Sequence, residues 1–241
     1  KKLFNIFLLS ADKNYNLIVK QIKKYKPKFF VINNLLLFNK IKKKFRKKNI
    51  KILNSFEEII FNNKIDLCIL AIPGIAGLKP TISQIKYCKK ILIANKESII
   101  CGWNLIKKLA KKNKTKIIPI DSEHYSILKL LEAHKLKEIE KIYITASGGP
   151  FLKFKPNQIK KIKPNQALKH PKWKMGKKIS IDSATLMNKI LETVEAQKLF
   201  NIPRNKLDII VHPNSLVHAI VKLSNGLSIF IYHETSMIIP L

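Results

Sequence analysis

The chain has 241 residues, of which 46% are hydrophobic, and its formal net charge is +32. This length allows two modest domains with a sizeable core, and this composition excludes a chain that is intrinsically disordered. No apolar run reaches transmembrane length, and no signal peptide is recognisable. The chain starts at Lys1, so we expect an excerpt of a longer protein. Its three cysteines lack metal-ligand spacing and fit a reduced compartment.

The positive charge comes almost entirely from lysine. Only two of the 47 basic residues are arginines, whereas proteins that read nucleic acid usually use arginine for bidentate contacts. The densest basic run, residues 42–48, carries Ile41 and Phe45 at helical spacing. We therefore interpret it as the solvated face of a helix, with a nucleic-acid-binding patch as the alternative. The positive field would still attract an anionic, phosphorylated substrate.

Apolar runs of strand length alternate with helical patterns over residues 1–120. The predicted strands are 4–9, 29–32, 50–53, 67–71, 91–94 and 116–119. The predicted helices are 15–25, 35–48, 55–61, 78–87 and one around 103–110. This alternation is typical of a Rossmann-like α/β fold with a parallel sheet, in which ligands bind at the carboxyl ends of the strands.

One signature of dinucleotide-binding folds is missing from the first part of the chain. No G-x-G-x-x-G sequence is present, and we predict only a plain turn at Gly74-Ile75-Ala76-Gly77. The alternation ends near residue 120, which predicts a first domain at 1–120 and an α+β domain at 121–241. The loop 147–178 has the length of a functional lid. Asn225-Gly226 predicts a β-hairpin of 216–223 and 227–233.

Three acidic residues mark the candidate site. Asp121 and Glu123 follow the last predicted strand of the alternating part, and residues two apart in extended backbone project to the same side. Glu192 lies on a predicted helix that begins near Asp182. If they converge, the three carboxylates provide hard oxygen ligands, which suit Mg²⁺ or Mn²⁺.

The helix predicted at 183–200 also has an ordinary structural interpretation. Asp182 or Ser183 would cap its N-terminus, where free backbone N–H groups attract anions. Its polar face, which includes Glu192 and Glu195, could simply meet solvent opposite an apolar face.

A second polar run, Ser147-Gly148-Gly149-Pro150, precedes this helix. Glycines allow close backbone approach to an anion, but they also serve tight turns. Together with Ser183, Asn188 and Lys189, the run could form a phosphate cradle beside the metal, or it could be only a turn.

Several motifs resemble, in sequence and in order, those of one enzyme family. They are Ala94-Asn95-Lys96-Glu97-Ser98, Asp121-Ser122-Glu123-His124, Ser147-Gly148-Gly149-Pro150-Phe151, His170-Pro171-Lys172-Trp173, Met175-Gly176, the run from Ile181 to Lys189, Glu192 and His212-Pro213. The chain is similar in these motifs to 1-deoxy-D-xylulose 5-phosphate reductoisomerase, of isoprenoid precursor biosynthesis. The resemblance spans nearly the whole chain and is weakest before the first motif.

The resemblance implies roles for individual residues. Asp121, Glu123 and Glu192 would bind the divalent metal and, with Lys96, form the catalytic group. The substrate would contact Lys96, Ser122, Glu123, Ser147, His170, Ser183, Asn188, Lys189 and Glu192, with its phosphate at Ser147, Ser183, Asn188 and Lys189. NADPH would contact Lys13, Asn14, Asn95, Glu97, Gly176 and Met237. Trp173 and Met175 would lie on the lid.

The implied reaction is a metal-assisted rearrangement of 1-deoxy-D-xylulose 5-phosphate, followed by reduction by NADPH to 2-C-methyl-D-erythritol 4-phosphate. The resemblance also implies a homodimer in the bacterial cytoplasm or the plastid stroma, without nucleic-acid or membrane partners. Three departures stand out: the Gly-rich turn is absent, Asp12 replaces a family glycine near the 2′-phosphate region, and the chain stops at Leu241, before the family's C-terminal helical domain. We therefore expect little activity from this segment alone.

Three alternatives stay open on sequence grounds. The first is another metal- and NADPH-dependent phosphosugar oxidoreductase, which competition by a phosphonate hydroxamate would separate. The second is a basic nucleic-acid-binding protein, which predicts salt-sensitive binding and leaves the clustered acids unexplained. The third is a degraded copy without activity, against which the intact motifs argue.

Overall fold

A computed structural model describes residues 4–59, 61, 63–170 and 176–241. The chain forms two compact units, Lys1–Asn63 and Lys64–Leu241. The domain boundary at residues 120 and 121 was placed by motif density, and it stays a prediction. Among the described residues, no helix is both long enough and apolar enough to cross a lipid bilayer.

The first unit is an α/β unit built on a three-stranded parallel sheet. Its elements are β1 (Leu8–Ala11), α1 (Tyr15–Tyr25), β2 (Phe29–Ile32), α2 (Leu35–Lys44) and β3 (Lys51–Leu53). The strands pair in parallel in the order β1-β2-β3. All four residues of β2 are buried, because apolar side chains cover both faces of this central strand. Asn14 and Asn34 cap α1 and α2 through side-chain oxygens that accept hydrogen bonds from Leu17 and Leu37.

The second unit begins with another parallel sheet. Its elements are β4 (Ile65–Leu70), α3 (Leu78–Ile85), β5 (Cys88–Ile93), α4 (Lys96–Lys112) and β6 (Lys116–Pro119), with strand order β4-β5-β6. Fully buried isoleucines, including Ile91, Ile99 and Ile106, form the core between sheet and helices. A short 3-10 turn, Ile75–Gly77, lies at the predicted plain turn.

The remainder of the second unit surrounds a mixed sheet. Its elements are α5 (Ser122–Leu131), β7 (Ile139–Ala146), α6 (Pro156–Ile159), α7 (Pro164–Ala167), α8 (Lys177–Ala184), α9 (Met187–Phe200), β8 (Leu207–Val211), β9 (Val217–Leu223) and β10 (Ser228–Tyr232). The strand order is β10-β9-β7-β8, in which only β7 and β8 are parallel. A parallel α/β part followed by an α+β part confirms the predicted fold class.

The strand β10 forms an edge of this sheet, since β9 is its only strand partner among the described residues. Ile229 and Ile231 point inward and pack against the core, whereas Phe230 and Tyr232 are 56% and 63% exposed. The predicted hairpin is confirmed: Gly226 between β9 and β10 has a φ of +90°, a left-handed conformation that glycine adopts without strain.

Predicted helix bounds differ from the structure in several places; the helix predicted at 35–48, for example, ends at Lys44. The described residues of 55–61 form only a 3-10 turn, Phe56–Glu58, because the backbone returns to an extended conformation at Ile59. The helix predicted at 183–200 is wrong in its start: α8 ends at Ala184, Leu186 takes a left-handed φ of +60°, and α9 begins at Met187. Asp182 and Ser183 therefore lie in the last turn of α8, and neither caps α9.

The exposure pattern of α9 is the reverse of the interpretation in which its polar face meets solvent. Its polar residues Lys189, Glu192 and Glu195 are buried, whereas Met187 and Ile190 are 45% and 55% exposed. The polar face is thus turned inward, which places ionisable groups inside the protein.

The long segment predicted as a lid contains regular structure where it is described. The single-turn helices α6 and α7 lie within it, each starting with a proline at its first helical position. The two residues assigned to the lid by resemblance, Trp173 and Met175, lie outside the described residues.

Candidate active site

Two helices position the candidate metal ligands: the start of α5 carries Asp121 and Glu123, and α9 carries Glu192. Asp121 is the N-cap of α5, and its side chain accepts a hydrogen bond from the backbone N–H of Glu123 at 3.3 Å. Glu192 lies in the second turn of α9. The prediction of an extended Asp121–Glu123 backbone is wrong, because both belong to a helix start, although their side chains do converge.

The three carboxylates meet at one point. Asp121, Glu123 and Glu192 each offer one oxygen, and these oxygens lie within 4.8 Å of one another. Oxygen ligands about 2.1 Å from Mg²⁺ lie up to about 4.2 Å apart, so a small inward shift of the side chains would complete the set. A cluster of three carboxylate oxygens fits Mg²⁺ or Mn²⁺ in its donor chemistry.

Two buried lysines balance the charge of these acids. Lys96, the first residue of α4, places its Nζ 3.0 Å from Asp121 Oδ2 and 3.5 Å from Glu192 Oε1. Lys189 places its Nζ 2.7 Å from Glu192 Oε2 and also contacts Glu123. Buried charges are tolerated when they are paired in this way. The arrangement therefore keeps a dense group of charges close to neutral overall.

The surroundings shift the protonation equilibria in opposite directions. Burial, and then repulsion from Glu123, raises the pKa of Glu192 to about 7. Although burial opposes it, Lys96 holds the pKa of Asp121 well below its usual range. The carboxylates outweigh burial at Lys96 and Lys189 and raise the pKa of both amines. The Glu192 carboxyl therefore gains or loses its proton close to neutral pH.

Two buried residues without an assigned role lie behind these acids. The ring of His124 is fully buried, with Nδ1 3.3 Å from Asp121 Oδ1 and Nε2 2.9 Å from the backbone oxygen of Glu192. Glu195 lies one turn after Glu192 and places Oε2 3.4 Å from the same Nδ1. The i, i+3 spacing of Glu192 and Glu195 in the sequence was a visible signal for Glu195. No local pattern indicated that His124 would contact it.

The predicted phosphate residues divide into two groups. Ser147 Oγ lies 3.0 Å from His170 Nε2 and accepts a hydrogen bond from the N–H of Gly149. Gly149 has a φ of +70°, and a Cβ there would lie 2.8 Å from the backbone oxygen of Ser183, so this turn packs directly on the end of α8. Ser147, His170 and Ser183 are therefore brought together.

The side chains of Asn188 and Lys189 face the acids. Asn188 donates a hydrogen bond to Glu192 and accepts one from Lys96 Nζ at 3.1 Å. Ser122 is buried and donates to Glu123. The predicted substrate residues of α5 and α9 thus form one hydrogen-bonded network with the candidate metal ligands.

Two of the four predicted NADPH residues of the second unit lie at the start of α4. Asn95 caps this helix, accepts from the N–H of Ser98 at 2.7 Å, and donates to the backbone oxygens of Ile72 and Gly74. Glu97 pairs with Lys178 at 2.6 Å.

The other predicted NADPH residues are dispersed along the chain. Gly176 precedes α8, and among residues 4–59, 61, 63–170 and 176–241 no atom beyond its chain neighbours would lie within 4 Å of a Cβ there; Met237 follows β10 and is partly exposed. In the first unit, Asn14 caps α1, while Lys13 lines a cavity of about 220 Å³ with Asn34, Leu36, Leu37 and Lys40.

Comparison with known proteins identifies the family. Residues 1–102 match the family model of 1-deoxy-D-xylulose 5-phosphate reductoisomerase, and residues 117–200 match that of the C-terminal domain of the same enzyme. Together the two matches cover well over half of the chain. The second match contains the three converging acids.

Curated relatives carry the same name. The chain is 50% identical over its full length to 1-deoxy-D-xylulose 5-phosphate reductoisomerase of Pelagibacter ubique, of which it covers 63%. It is 42% identical, over 99% of its length, to the enzyme of Clostridium novyi, again covering 63%. The chain thus spans a little under two thirds of the length of these relatives.

Solved structures agree with the sequence matches. A crystal structure of DOX-P reductoisomerase in complex with NADPH, fosmidomycin and magnesium aligns with 99% of this chain at a TM-score of 0.90 and 32% identity, and 62% of that protein is covered. The enzyme from Zymomonas mobilis in complex with NADPH aligns with 98% of this chain at a TM-score of 0.85 and 32% identity, again with 62% of that protein covered. From both sequence and structure, the chain belongs to the 1-deoxy-D-xylulose 5-phosphate reductoisomerase family.

Proposed function

We propose that this chain carries the cofactor- and metal-binding parts of an enzyme that converts 1-deoxy-D-xylulose 5-phosphate to 2-C-methyl-D-erythritol 4-phosphate with NADPH and Mg²⁺ or Mn²⁺. The observation that carries the proposal is the convergence of Asp121, Glu123 and Glu192 within 4.8 Å. The names of the relatives and the ligands named for the similar solved structure support it.

Asp121, Glu123 and Glu192 would hold the divalent metal through carboxylate oxygens. The metal supplies Lewis-acid polarisation of a substrate carbonyl, and NADPH supplies a hydride. The chain's own contribution is to fix these acids on two helices and to bury Glu192 almost completely, at 1% exposed. Exclusion of water from a buried site strengthens the electrostatic contacts made within it.

Lys96 and Lys189 would serve the substrate as well as the acids. Both ammonium groups lie beside the carboxylates, and both stay protonated because those carboxylates raise their pKa. We assign Lys96 to the reacting end of the substrate. Lys189 would bind its phosphate with Ser147, Ser183 and Asn188, holding the remote group so that the reacting carbons are positioned.

His170 and Ser122 complete the proposed substrate contacts. Burial, and then the charge of Lys189, lowers the pKa of His170, which favours a neutral ring beside Ser147. Ser122 would orient Glu123 through the hydrogen bond that it donates.

For NADPH, we assign Asn95, Glu97, Gly176 and Met237 in the second unit, and Lys13 and Asn14 in the first. Asn95 caps α4, and Lys96 is the first residue of this helix. Cofactor and substrate contacts would therefore share one helix start. Lys13 offers a positive charge for the 2′-phosphate, although Asp12 lies 3.7 Å from its Nζ.

The domain division at residues 120 and 121 is part of the proposal. The break between the two family matches, at residues 102 and 117, supports it. We also propose that the protein forms a homodimer and that it is located in the bacterial cytoplasm. The bacterial sources of the relatives support this location.

The decisive experiment titrates Mn²⁺ into the full-length protein and into its Glu192→Gln variant. Calorimetry measures the Mn²⁺ affinity, and the oxidation of NADPH in the presence of substrate measures the turnover. Losing one of three carboxylates should weaken Mn²⁺ binding by at least about 10-fold and reduce turnover in parallel. Glu140→Gln is the matched control, because Glu140 is a half-exposed carboxylate paired with Lys222 on the mixed sheet. Equal Mn²⁺ affinity in the wild type and Glu192→Gln would contradict the proposed site.

A further inference from the structure

One imidazole ring touches all three candidate metal-binding segments. His124 directly follows Glu123 in the chain, its Nδ1 lies 3.3 Å from Asp121 Oδ1, and its Nε2 lies 2.9 Å from the backbone oxygen of Glu192. The ring thereby joins the start of α5 to the middle of α9. The ring of Phe200 stacks on it at a centroid distance of 6.3 Å and an interplanar angle of 20°.

The hydrogen-bond partners fix what this ring must donate. A backbone carbonyl only accepts, so Nε2 must carry a hydrogen toward Glu192. Nδ1 faces carboxylate oxygens of both Asp121 and Glu195, which accept as well when they are ionised. A ring that donates from both nitrogens satisfies all of these contacts at once.

Glu195 is the counterpart that this geometry requires. Its side chain is 1% exposed, and Oε2 has no hydrogen-bond partner within the described ranges other than the approach of His124 Nδ1 at 3.4 Å. A buried carboxylate without a cation nearby would be strongly destabilising. Glu195 is also outside the set of acids whose oxygens converge, which contains Asp121, Glu123 and Glu192.

From these contacts we propose that His124 and Glu195 are a positioning pair: Glu195 holds the His124 ring, and the ring holds Asp121 and the Glu192 segment in place for the metal. Glu195 acts through His124 and not as a fourth ligand. The inference rests on the proposed function and deepens it, because it concerns residues behind the metal ligands. Replacing a group that orients a metal ligand typically lowers the metal affinity by about 10- to 100-fold.

A double-mutant cycle on the full-length protein tests this order of action. Mn²⁺ affinity is measured by calorimetry, without substrate or NADPH, for the wild type, Glu195→Gln, His124→Gln and the double variant. We expect each single change to weaken Mn²⁺ binding by about 10-fold, and the double variant to be no weaker than His124→Gln alone. Losses that multiply to about 100-fold, or an unchanged affinity in Glu195→Gln, would overturn the proposal.

Two further measurements separate positioning from a general loss of structure. Glu132→Gln, which alters an exposed acid paired with Lys129, is the matched control and should leave Mn²⁺ affinity unchanged. Glu195→Gln should be folded without metal, as measured by circular dichroism at the assay temperature, and excess Mn²⁺ should restore its kcat to near the wild-type value; a variant rescued only through its stability would be partly unfolded without metal. A kcat that stays low at saturating Mn²⁺ would count against a positioning role.

The cycle also stays informative if one variant fails to fold. His124→Met, which has neither ring nitrogen, then takes the place of His124→Gln, and the same non-additivity is expected. Failure of the proposed function has a different signature, since the wild type itself would then bind no Mn²⁺. Wild-type binding combined with additive losses refutes the positioning pair alone.

Discussion

The helices α4 and α9 pack together in the second unit but bury opposite kinds of side chain. In α4, Ile99 and Ile106 are fully buried, and the lysines of its last turns are exposed. In α9, Glu192 and Glu195 are buried, and Ile190 is largely exposed. One helix therefore follows the ordinary amphipathic rule, while its neighbour reverses it.

The two helices differ in what their buried side chains contribute to stability. Burying isoleucine is favourable in itself, at about 1.5–3 kcal/mol for each side chain. Burying lysine and glutamate is costly unless they are well paired, and apolar residues of similar volume often stabilise a protein more. A buried array of acids and lysines is thus weakly explained by stability, and ion or substrate binding accounts for it better.

The largest effect should come from breaking the ion pairs of α9. In Lys189→Met, Glu123 and Glu192 lose a buried ammonium, and we expect the free energy of unfolding to fall by about 3–5 kcal/mol without metal. Urea unfolding followed by circular dichroism measures it. Saturating Mn²⁺ should recover part of the loss, because a cation replaces the missing charge. Lys111→Met, at an exposed position of α4, should change stability by less than about 0.5 kcal/mol.

A matched pair of isoleucine substitutions tests the two faces directly. Ile106→Ala in α4 removes a fully buried side chain and should cost about 2–5 kcal/mol. Ile190→Ala in α9 removes a side chain that is 55% exposed, and it should change the free energy of unfolding by less than about 0.5 kcal/mol. Equal losses in the two variants, measured by urea unfolding, would mean that the apolar face of α9 is covered in solution.

The smallest effect should be a pH dependence centred on α5 and α9. Glu195 and Asp121 outweigh burial and raise the pKa of His124 from 6.5 to about 9. A raised histidine pKa stabilises the folded state fully below the unfolded value of 6.5, and this contribution is lost as the pH rises through about 9. The stability difference between wild type and His124→Asn should therefore shrink by about 1–3 kcal/mol between these pH values. Unfolding in urea across this pH range measures it, and a difference that grows with pH would contradict it.

Much of the fold follows from local sequence patterns. The bounds predicted for α1, β2 and β6 are confirmed to the residue, because apolar periodicity and flanking asparagine or proline mark their ends. The convergence of Asp121 and Glu123 was also visible locally, although a helix start produces it rather than a strand. Residues close together in the chain share a frame that a short pattern can describe.

The orientation of α9 could not be predicted in the same way. Periodicity shows which residues share a face, but it does not show which face points inward. Polar residues face inward here because partners distant in sequence receive them: Lys96 reaches Asn188 across 92 residues, and His124 reaches Glu192 across 68. The break at Leu186 was equally hidden, since leucine favours helix interiors and rarely adopts a positive φ.

The edge strand β10 has a consequence for handling the protein. Its five residues, Ser-Ile-Phe-Ile-Tyr, include neither charge nor proline in a chain that is otherwise crowded with lysine. Natural sheet edges are commonly guarded by such residues against pairing with another molecule's strand. We therefore expect this edge to favour self-association of the 241-residue segment at high concentration, and Phe230→Lys on its outward face should reduce that association.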